Sequence, residues 1–200
     1  MLVEEIRLAA SDEMPIESRE FKDEVITGIV ARKIEFVSVR LERCRFVDCD
    51  FTGAGFYQTK LNKCDFSNCT FSGSYWKNSE IAGCKGNGSR FDKAVFKSTA
   101  FSDTQMNLAN FGGSLFESCK VEMCSFREAF FSEVKLKKTK FMKSDFTKVD
   151  FFRTMLKGMD FTDSVIESIM VSDTYREVQG MKINMFQAAE IAKLLGVTIV

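Results

Sequence analysis

The chain has 200 residues, its 28 Lys and Arg are balanced by 28 Asp and Glu, and it contains no histidine. The absence of histidine excludes histidine-based triads, histidine acid–base catalysis and histidine-containing zinc fingers. No apolar run approaches the roughly 20 residues that span a bilayer, and the first residues lack the basic start and apolar core of a signal peptide. We therefore expect a cytoplasmic protein without a membrane contact.

The segment 1–20 precedes the regular part of the sequence, and we assign it to an N-terminal cap. Residues 1–24 carry eight acidic and three basic side chains. The balanced total charge therefore hides a gradient along the chain, which begins acidic.

From Phe36 to Val171, every fifth residue is large and apolar, with one exception at Gly86. We call these residues the centre positions. A helix would spread residues of this period around its surface, and a straight strand would send them alternately to opposite faces. The chain must therefore bend once per five residues and wind around its own core. The residue two before each centre, here called the small position, is Ala, Cys, Ser, Thr or Val at every repeat from Cys44 to Thr154.

This repeat pattern, small-(Asp/Asn)-(Leu/Phe)-polar-(Gly/polar), closely resembles that of the pentapeptide-repeat family over residues 21–175. The resemblance implies an all-β solenoid: a right-handed quadrilateral β-helix with four pentapeptides per coil, about 4.8 Å between coils and apolar residues stacked inside. Segment 176–200 then provides a C-terminal helix and a short strand.

All seven cysteines occupy small positions, which predicts that they pack in the core. A disulfide between stacked cysteines is the less favoured alternative, and no CxxC pair indicates a metal site. The recurring Asp residues before the centres are read as turn-forming groups, with a glycosidase-like carboxylate pair as the weaker alternative. We expect no enzymatic activity, no catalytic or metal-binding residue and no cofactor.

Three departures from the repeat pattern are candidate functional features. Gly86 leaves a hole in the core that Met106 fills, or else it marks a bend or bulge that a partner recognises. Phe130 and Phe152 flank centre positions and should point outward, where they form a contact surface unless a cap segment covers them. Basic residues concentrate in 135–157, which holds eight bases and two acids. This basic group forms either a contact with nucleic acid or an acidic protein, or a solvated face, and its lysines are Lys135, Lys137, Lys138, Lys140, Lys143 and Lys157.

After Val171 the repeat ends, and the sequence predicts an amphipathic helix from Asn184, its N-cap, to Gly196, its terminator. A short strand is predicted at Val197–Val200. This tail must cover the open end of the β-helix, or it pairs two chains. The candidate side chains for capping or dimerisation are Phe186, Ile191, Leu194 and Leu195.

The tail 185–197 also resembles that of the Qnr and McbG branch of the pentapeptide-repeat family. That resemblance implies homodimers joined at the carboxyl terminus and binding to DNA gyrase or topoisomerase IV, with protection against quinolones or peptide toxins through mimicry of DNA. Mimicry requires a continuous negative surface, from which the mixed charges of this chain depart. The alternative function is a general protein-interaction scaffold with another partner, and no direct binding of nucleic acid is expected.

Overall fold

The computed structural model describes residues 1–198 and is a parallel β-helix with one α-helix near each end. Helix α1 spans Leu2–Asp12 and helix α2 spans Gln187–Leu194, with a 3-10 turn at Arg176–Val178 between the array and α2. The strands are short: β1 Ile16–Glu17, β2 Glu20–Lys22, β3 Val25–Thr27, β4 Glu35–Val37, β5 Arg40–Glu42, β6 Arg45–Val47, β7 Gly55–Tyr57, β8 Lys60–Asn62, β9 Tyr75–Lys77, β10 Glu80–Ala82, β11 Val95–Lys97, β12 Ala100–Ser102, β13 Leu115–Glu117, β14 Lys120–Glu122, β15 Lys135–Lys137 and β16 Lys140–Met142.

Parallel pairing with a constant offset of one coil defines the four faces. The first face is a seven-stranded sheet in the order β1-β4-β7-β9-β11-β13-β15, and the second is a seven-stranded sheet from β2 to β16. Phe36 pairs with Phe56 and Leu41 with Leu61, so each register step is 20 residues. The third face has the β3–β6 pair followed by single bridges, and the fourth is joined by single bridges such as Asp50 with Thr70. The predicted β-helix with four pentapeptides per coil is therefore confirmed.

The core is a set of stacked centre residues. Phe71 and Phe91 stack with centroids 4.8 Å apart, and the Phe91 and Phe111 rings are 5.2 Å apart and nearly parallel. Small positions lie beside these stacks, where a hydroxyl or thiol can reach the backbone of the coil before. Thr59 Oγ1, for example, donates to the Phe36 carbonyl at 3.0 Å. All seven cysteines are buried and free, as the packing interpretation predicted.

The corners of each coil lie two residues after the centres, and the backbone there is left-handed. Gly73 has φ +64°, which glycine adopts without steric cost, but Lys63 has φ 54° in the equivalent place. Non-glycine residues rarely adopt this conformation, so the surrounding backbone hydrogen bonds must hold it. The Lys63 amide donates to the Ala82 carbonyl at 2.8 Å in the next coil.

Helix α1 lies against the first coil through the buried side chains of Leu2, Ile6 and Ala9. The Leu2 amide donates to a Glu24 carboxylate oxygen at 2.9 Å, which ties the start of the helix to the array. Strand β1 already pairs with β4, so stacking begins within the segment that the sequence assigns to the cap.

Helix α2 is shorter than the predicted Asn184–Gly196 segment. Asn184 still caps its start, because its Oδ1 accepts hydrogen bonds from the amides of Phe186 and Gln187 at 2.9 and 3.0 Å. The Gln187 amide group donates to the carbonyl of Phe161 at 2.8 Å, which attaches the helix to the last coil. Val197 and Thr198 are not in a strand, and Ile199 and Val200 of that predicted strand lie outside the described residues.

Candidate partner-binding surface

The basic cluster, defined as Lys135, Lys137, Lys138, Lys140 and Lys143, follows β15, the next corner and β16. All five side chains are exposed, and within residues 1–198 none forms an ion pair. Lys157 is also exposed and lies one coil after Lys137. Nearby like charges without partners raise the positive potential of a surface. The structure therefore brings the predicted lysines together on two adjoining faces.

Several charges in other parts of the array pair with charges of a neighbouring coil. Lys60 pairs with Glu80 at 2.9 Å, and Arg43 pairs with Asp23 at 2.7 Å, one coil away in each case. Arg153 pairs with Glu133 at 3.2 Å in the same manner. These exposed pairs each contribute about 0–1 kcal/mol to stability, but they make the potential along the rod mixed in sign.

Phe130 and Phe152 are 47% and 38% exposed, so the described part of the cap leaves both accessible. Phe130 lies in a column between Asn110 and Asp150, to which its backbone is bridged. Phe152 lies on the same face of the next coil, with the Arg153 guanidinium carbon 4.9 Å from its ring centroid. This cation–π contact orients Phe152 and keeps its ring at the surface.

Gly86 keeps the register of the array. Its amide donates to the Gln105 carbonyl at 2.8 Å, as other centre residues do in their coils. A Cβ atom at this position would be 2.3 Å from Phe66 Cε2 and 2.6 Å from Met106 Sδ. The two neighbouring side chains therefore occupy the space that a centre side chain would take, which supports compensated packing over a bulge.

The Asp residues before the centres bind the backbone of the next turn. Asp145 Oδ1 accepts from the Thr147 amide at 2.8 Å and from its hydroxyl at 2.6 Å, and Oδ2 accepts from Arg127 at 2.8 Å. Burial raises the pKa of Asp145, but these hydrogen bonds outweigh it, so the pKa lies below its ordinary value. Asp50 and Asp160 bind the threonine two residues later in the same way. Within residues 1–198 no group of three acidic or cysteine side chains could hold a metal ion.

The family "Pentapeptide repeats" matches this chain in eight copies at residues 34–73 and 109–147. These two segments of the chain are pentapeptide repeats. No curated protein matches it by sequence. Neither helix of residues 1–198 has the length and apolar character needed to cross a membrane.

Solved structures similar to this pentapeptide-repeat protein include QnrB1, a plasmid-mediated fluoroquinolone resistance protein. One trypsin-treated QnrB1 variant is 19% identical with a TM-score of 0.58, and the match covers 94% of this chain and 100% of that one. A second variant is 18% identical with a TM-score of 0.50 over 92% and 100% of the two chains. HetL, a pentapeptide repeat protein of the cyanobacterium Nostoc sp., is 8% identical with a TM-score of 0.35 over 91% and 93%. The QnrB1 likeness supports the same fold along nearly the whole chain.

The four candidate tail residues of this pentapeptide-repeat protein divide into two groups. Ile191 packs against the core, and Leu194 is partly buried. Phe186 and Leu195 are 80% and 51% exposed. Met185 and Val197 are also exposed, next to Phe186 and close to Leu195 in sequence, and we call these four exposed apolar residues the tail surface.

Sequence reasoning missed two exposed methionines near Phe152. Met155 is 53% exposed and lines a groove together with Phe152 and Arg176. Met170 is 50% exposed and lies in the same column as Phe130. Both methionines come immediately before a centre residue, and the side chain at that position of the repeat points outward. This position could have predicted their exposure from the sequence.

Proposed function

We propose that this protein is a non-enzymatic binding protein that presents its carboxyl-terminal coils to another protein. The observation that carries the proposal is the contrast in surface chemistry along the rod. Earlier coils mix paired and unpaired charges, whereas the coils after Phe130 carry five unpaired lysines on the first two faces and exposed Phe130 and Phe152 on the fourth. Exposed aromatic side chains beside basic groups are typical of protein contact sites.

DNA gyrase or topoisomerase IV is the partner that we propose to test first, with protection against a quinolone or a peptide toxin as the activity. Support comes from the carboxyl-terminal tail and from the fold that this chain shares with a fluoroquinolone resistance protein. A shared fold does not establish a shared partner, so the assay has to decide it. Such a partner would place the protein in the cytoplasm.

The charge distribution favours a contact through the carboxyl-terminal coils over mimicry of duplex DNA along the rod. A mimic competes with phosphates and needs a continuous negative potential. The second face has Arg40, Lys60 and Glu80 in one column, and the first face ends in Lys135 and Lys137. Acidic residues are in excess only at the two ends of the chain, with eight acids and three bases in 1–24 and six acids and three bases in 158–200.

The proposed activity is tested by a gyrase supercoiling assay with a fluoroquinolone and increasing amounts of the purified protein. We expect supercoiled product to recover at stoichiometric protein. Absence of recovery, with no effect of the protein on gyrase alone, would contradict the topoisomerase proposal and leave a scaffold for another partner.

Paired variants separate the contact surface from the fold. The double variant Phe130→Ser, Phe152→Ser should lose partner binding while its thermal melt stays unchanged, because both side chains are exposed. The matched control Val25→Ser, Val30→Ser changes two residues that are 69% and 59% exposed at the other end of the array, and it should keep binding. Equal loss in both double variants would contradict a contact at Phe130 and Phe152.

A homodimer joined through the tail surface is the second part of the proposal. Met185 and Phe186 are each 80% exposed, although α2 already covers the last coil with Gln187 and Ile191. Apolar side chains that the cap does not use are available to a second copy of this chain. The direct test of this dimer is a pair of substitutions in the tail surface.

A further inference from the structure

The last coil separates from the array on two of its four faces. One coil earlier, these faces are joined by backbone hydrogen bonds, such as Lys140 amide to Cys119 carbonyl at 3.0 Å and Ser118 amide to Lys137 carbonyl at 2.8 Å. Among residues 1–198, no equivalent backbone bond joins 134–143 to 155–162. We call this gap the open seam.

The other two faces of the same coil remain closed. The Phe146 amide donates to the Val165 carbonyl at 2.8 Å, and the Phe151 amide donates to the Met170 carbonyl at 2.8 Å. The far edge of the last coil is also paired, because the Phe161 amide donates to the Lys182 carbonyl at 3.0 Å. The open seam is therefore a local separation between two ordered coils and not a frayed end.

We attribute the open seam to Met159, which lies beside it. This residue occupies a small position, and the array has only Ala, Cys, Ser, Thr or Val there from Cys44 to Thr154. In the preceding coil Thr139 fills that column and donates its hydroxyl to the Phe116 carbonyl at 3.2 Å. Methionine is larger and has no hydroxyl, so it cannot make the equivalent bond to Leu136. Leu136 is accordingly only half-buried, unlike the centre residues before it.

The seam presents an unpaired strand edge within a groove. The groove has a volume of about 520 Å³, and its walls are 138–142 on one side and 158–163 on the other. The edge carries the amides of Leu136, Lys138, Phe141 and Lys143, which among the described residues have no backbone acceptor across the seam. Unpaired strand edges are ready templates for pairing with an extended chain.

Charge indicates which extended chain would fit. The basic cluster surrounds one wall, whereas the other carries Asp160 and Asp163. The Asp160 carboxylate accepts hydrogen bonds from the Thr162 amide and hydroxyl at 3.0 and 2.7 Å, and these bonds together with the charge of Lys182 hold the pKa of Asp160 below its ordinary value. The groove lining has two lysines and two aspartates, and the neighbouring lysines of the basic cluster add the positive charge that favours a ligand with acidic side chains.

We propose that the open seam binds an extended acidic segment of a partner protein, which adds a strand to β15 or β16. Alternate residues of such a segment point outward toward the lysines and inward toward Leu136 and Phe141. A segment that alternates acidic and small apolar residues satisfies both directions. The inference deepens the proposed role in protein binding, and its test uses no topoisomerase, so either can fail alone.

The experiment measures binding of a fluorescent ten-residue peptide that alternates Glu and Val, with both ends blocked, to the full chain. We expect a rise in anisotropy, together with slower hydrogen exchange at the amides of Leu136, Lys138, Phe141 and Lys143. The variant Lys138→Glu, Lys140→Glu should weaken binding at least tenfold. The matched control Lys63→Glu, Lys77→Glu changes exposed lysines on the same faces of earlier coils and should bind normally.

Met159→Thr provides the decisive variant, because it restores the residue type of the preceding coil. This variant should keep the fold and close the seam. Hydrogen exchange at the four amides should then be slow even in the absence of peptide, and the peptide should no longer bind. Retained binding in this variant, or wild-type binding without slower exchange, would overturn the proposal. The absence of peptide binding would also overturn it. Displacement of the peptide by a more tightly bound ten-nucleotide oligothymidine would overturn it as well, because the site would then be a nucleic-acid site.

Discussion

Two regions of the molecule follow the five-residue repeat to different degrees: the array from Phe36 to Thr154 and the carboxyl-terminal region from Met155 to Thr198. In the array each coil joins the next on every face, and large and small residues alternate inside. In the carboxyl-terminal region, Met159 breaks the size rule, two faces separate, and a helix replaces further coils. Strict repetition produces a rod with few distinguishing features, whereas departures from it create surfaces that a partner can recognise.

The largest expected loss of stability comes from truncating a buried phenylalanine ring, in contrast to truncating an exposed one. Phe111 is fully buried between Phe91 and Phe131, whereas Phe186 is 80% exposed. Phe111→Ala should lower the free energy of unfolding by about 3–5 kcal/mol because it leaves a cavity in the stack. Phe186→Ala should change it by less than about 0.5 kcal/mol. Urea denaturation measures both, and similar losses would remove the distinction between the two regions.

Gly86→Ala tests whether the array tolerates even one added methyl group where neighbours have filled a gap. The new Cβ would overlap Phe66 and Met106, so we expect a loss of about 1–3 kcal/mol in the free energy of unfolding. Combining it with Phe66→Leu should recover part of this loss, because the shorter side chain makes room. Strictly additive losses in urea denaturation would argue against the contact.

Glu177→Gln examines the junction between the array and the tail. Glu177 is 1% exposed, and its carboxylate accepts from the Arg153 amide at 2.9 Å and from the Ser172 hydroxyl at 3.0 Å. Burial raises the pKa of Glu177, but these hydrogen bonds and others from the backbone lower it below its ordinary value. The variant should lose about 1–2 kcal/mol of unfolding free energy at neutral pH.

The lowered pKa also fixes the direction of the pH dependence. The charged form of Glu177 stabilises the fold above the unfolded pKa of about 4.3, and this contribution disappears as pH falls through the folded pKa. The stability difference between wild type and Glu177→Gln should therefore be full above about pH 5 and shrink in more acidic solution. Denaturation curves from pH 7 to pH 3 measure it, and a constant difference would contradict the assignment.

The smallest effect on folding is expected at the tail surface. Phe186→Ser with Leu195→Ser should convert a dimer to a monomer in sedimentation velocity and leave the thermal midpoint nearly unchanged, because both side chains are exposed. Ile191→Ser is the contrasting variant, since this residue packs against the core and its loss should lower the midpoint. An unchanged mass for the double variant would rule out a dimer through these residues.

Much of the candidate site could be predicted from the repeat pattern. The sequence predicted outward positions for Phe130 and Phe152 because positions beside a centre residue point away from the core, and it predicted that the lysines of 135–157 cluster around one corner. It placed Asn184 at the start of the last helix, and the structure shows the expected cap. It did not predict helix α1, whose buried residues Leu2, Ile6 and Ala9 lie at helical spacing in a segment too short for a strong periodic signal.

The sequence by itself determined the architecture, because a strict period of five with one large and one small inward residue is compatible with a coil that returns to its own register every 20 residues. Local size and polarity are sufficient for this, since each repeat meets an equivalent repeat above and below it. Only the tertiary structure decided that two faces of the last coil separate beside Met159 while the other two stay paired. The local pattern does not decide this, because Ile34 and Ile169 are also large residues at small positions and their coils remain paired.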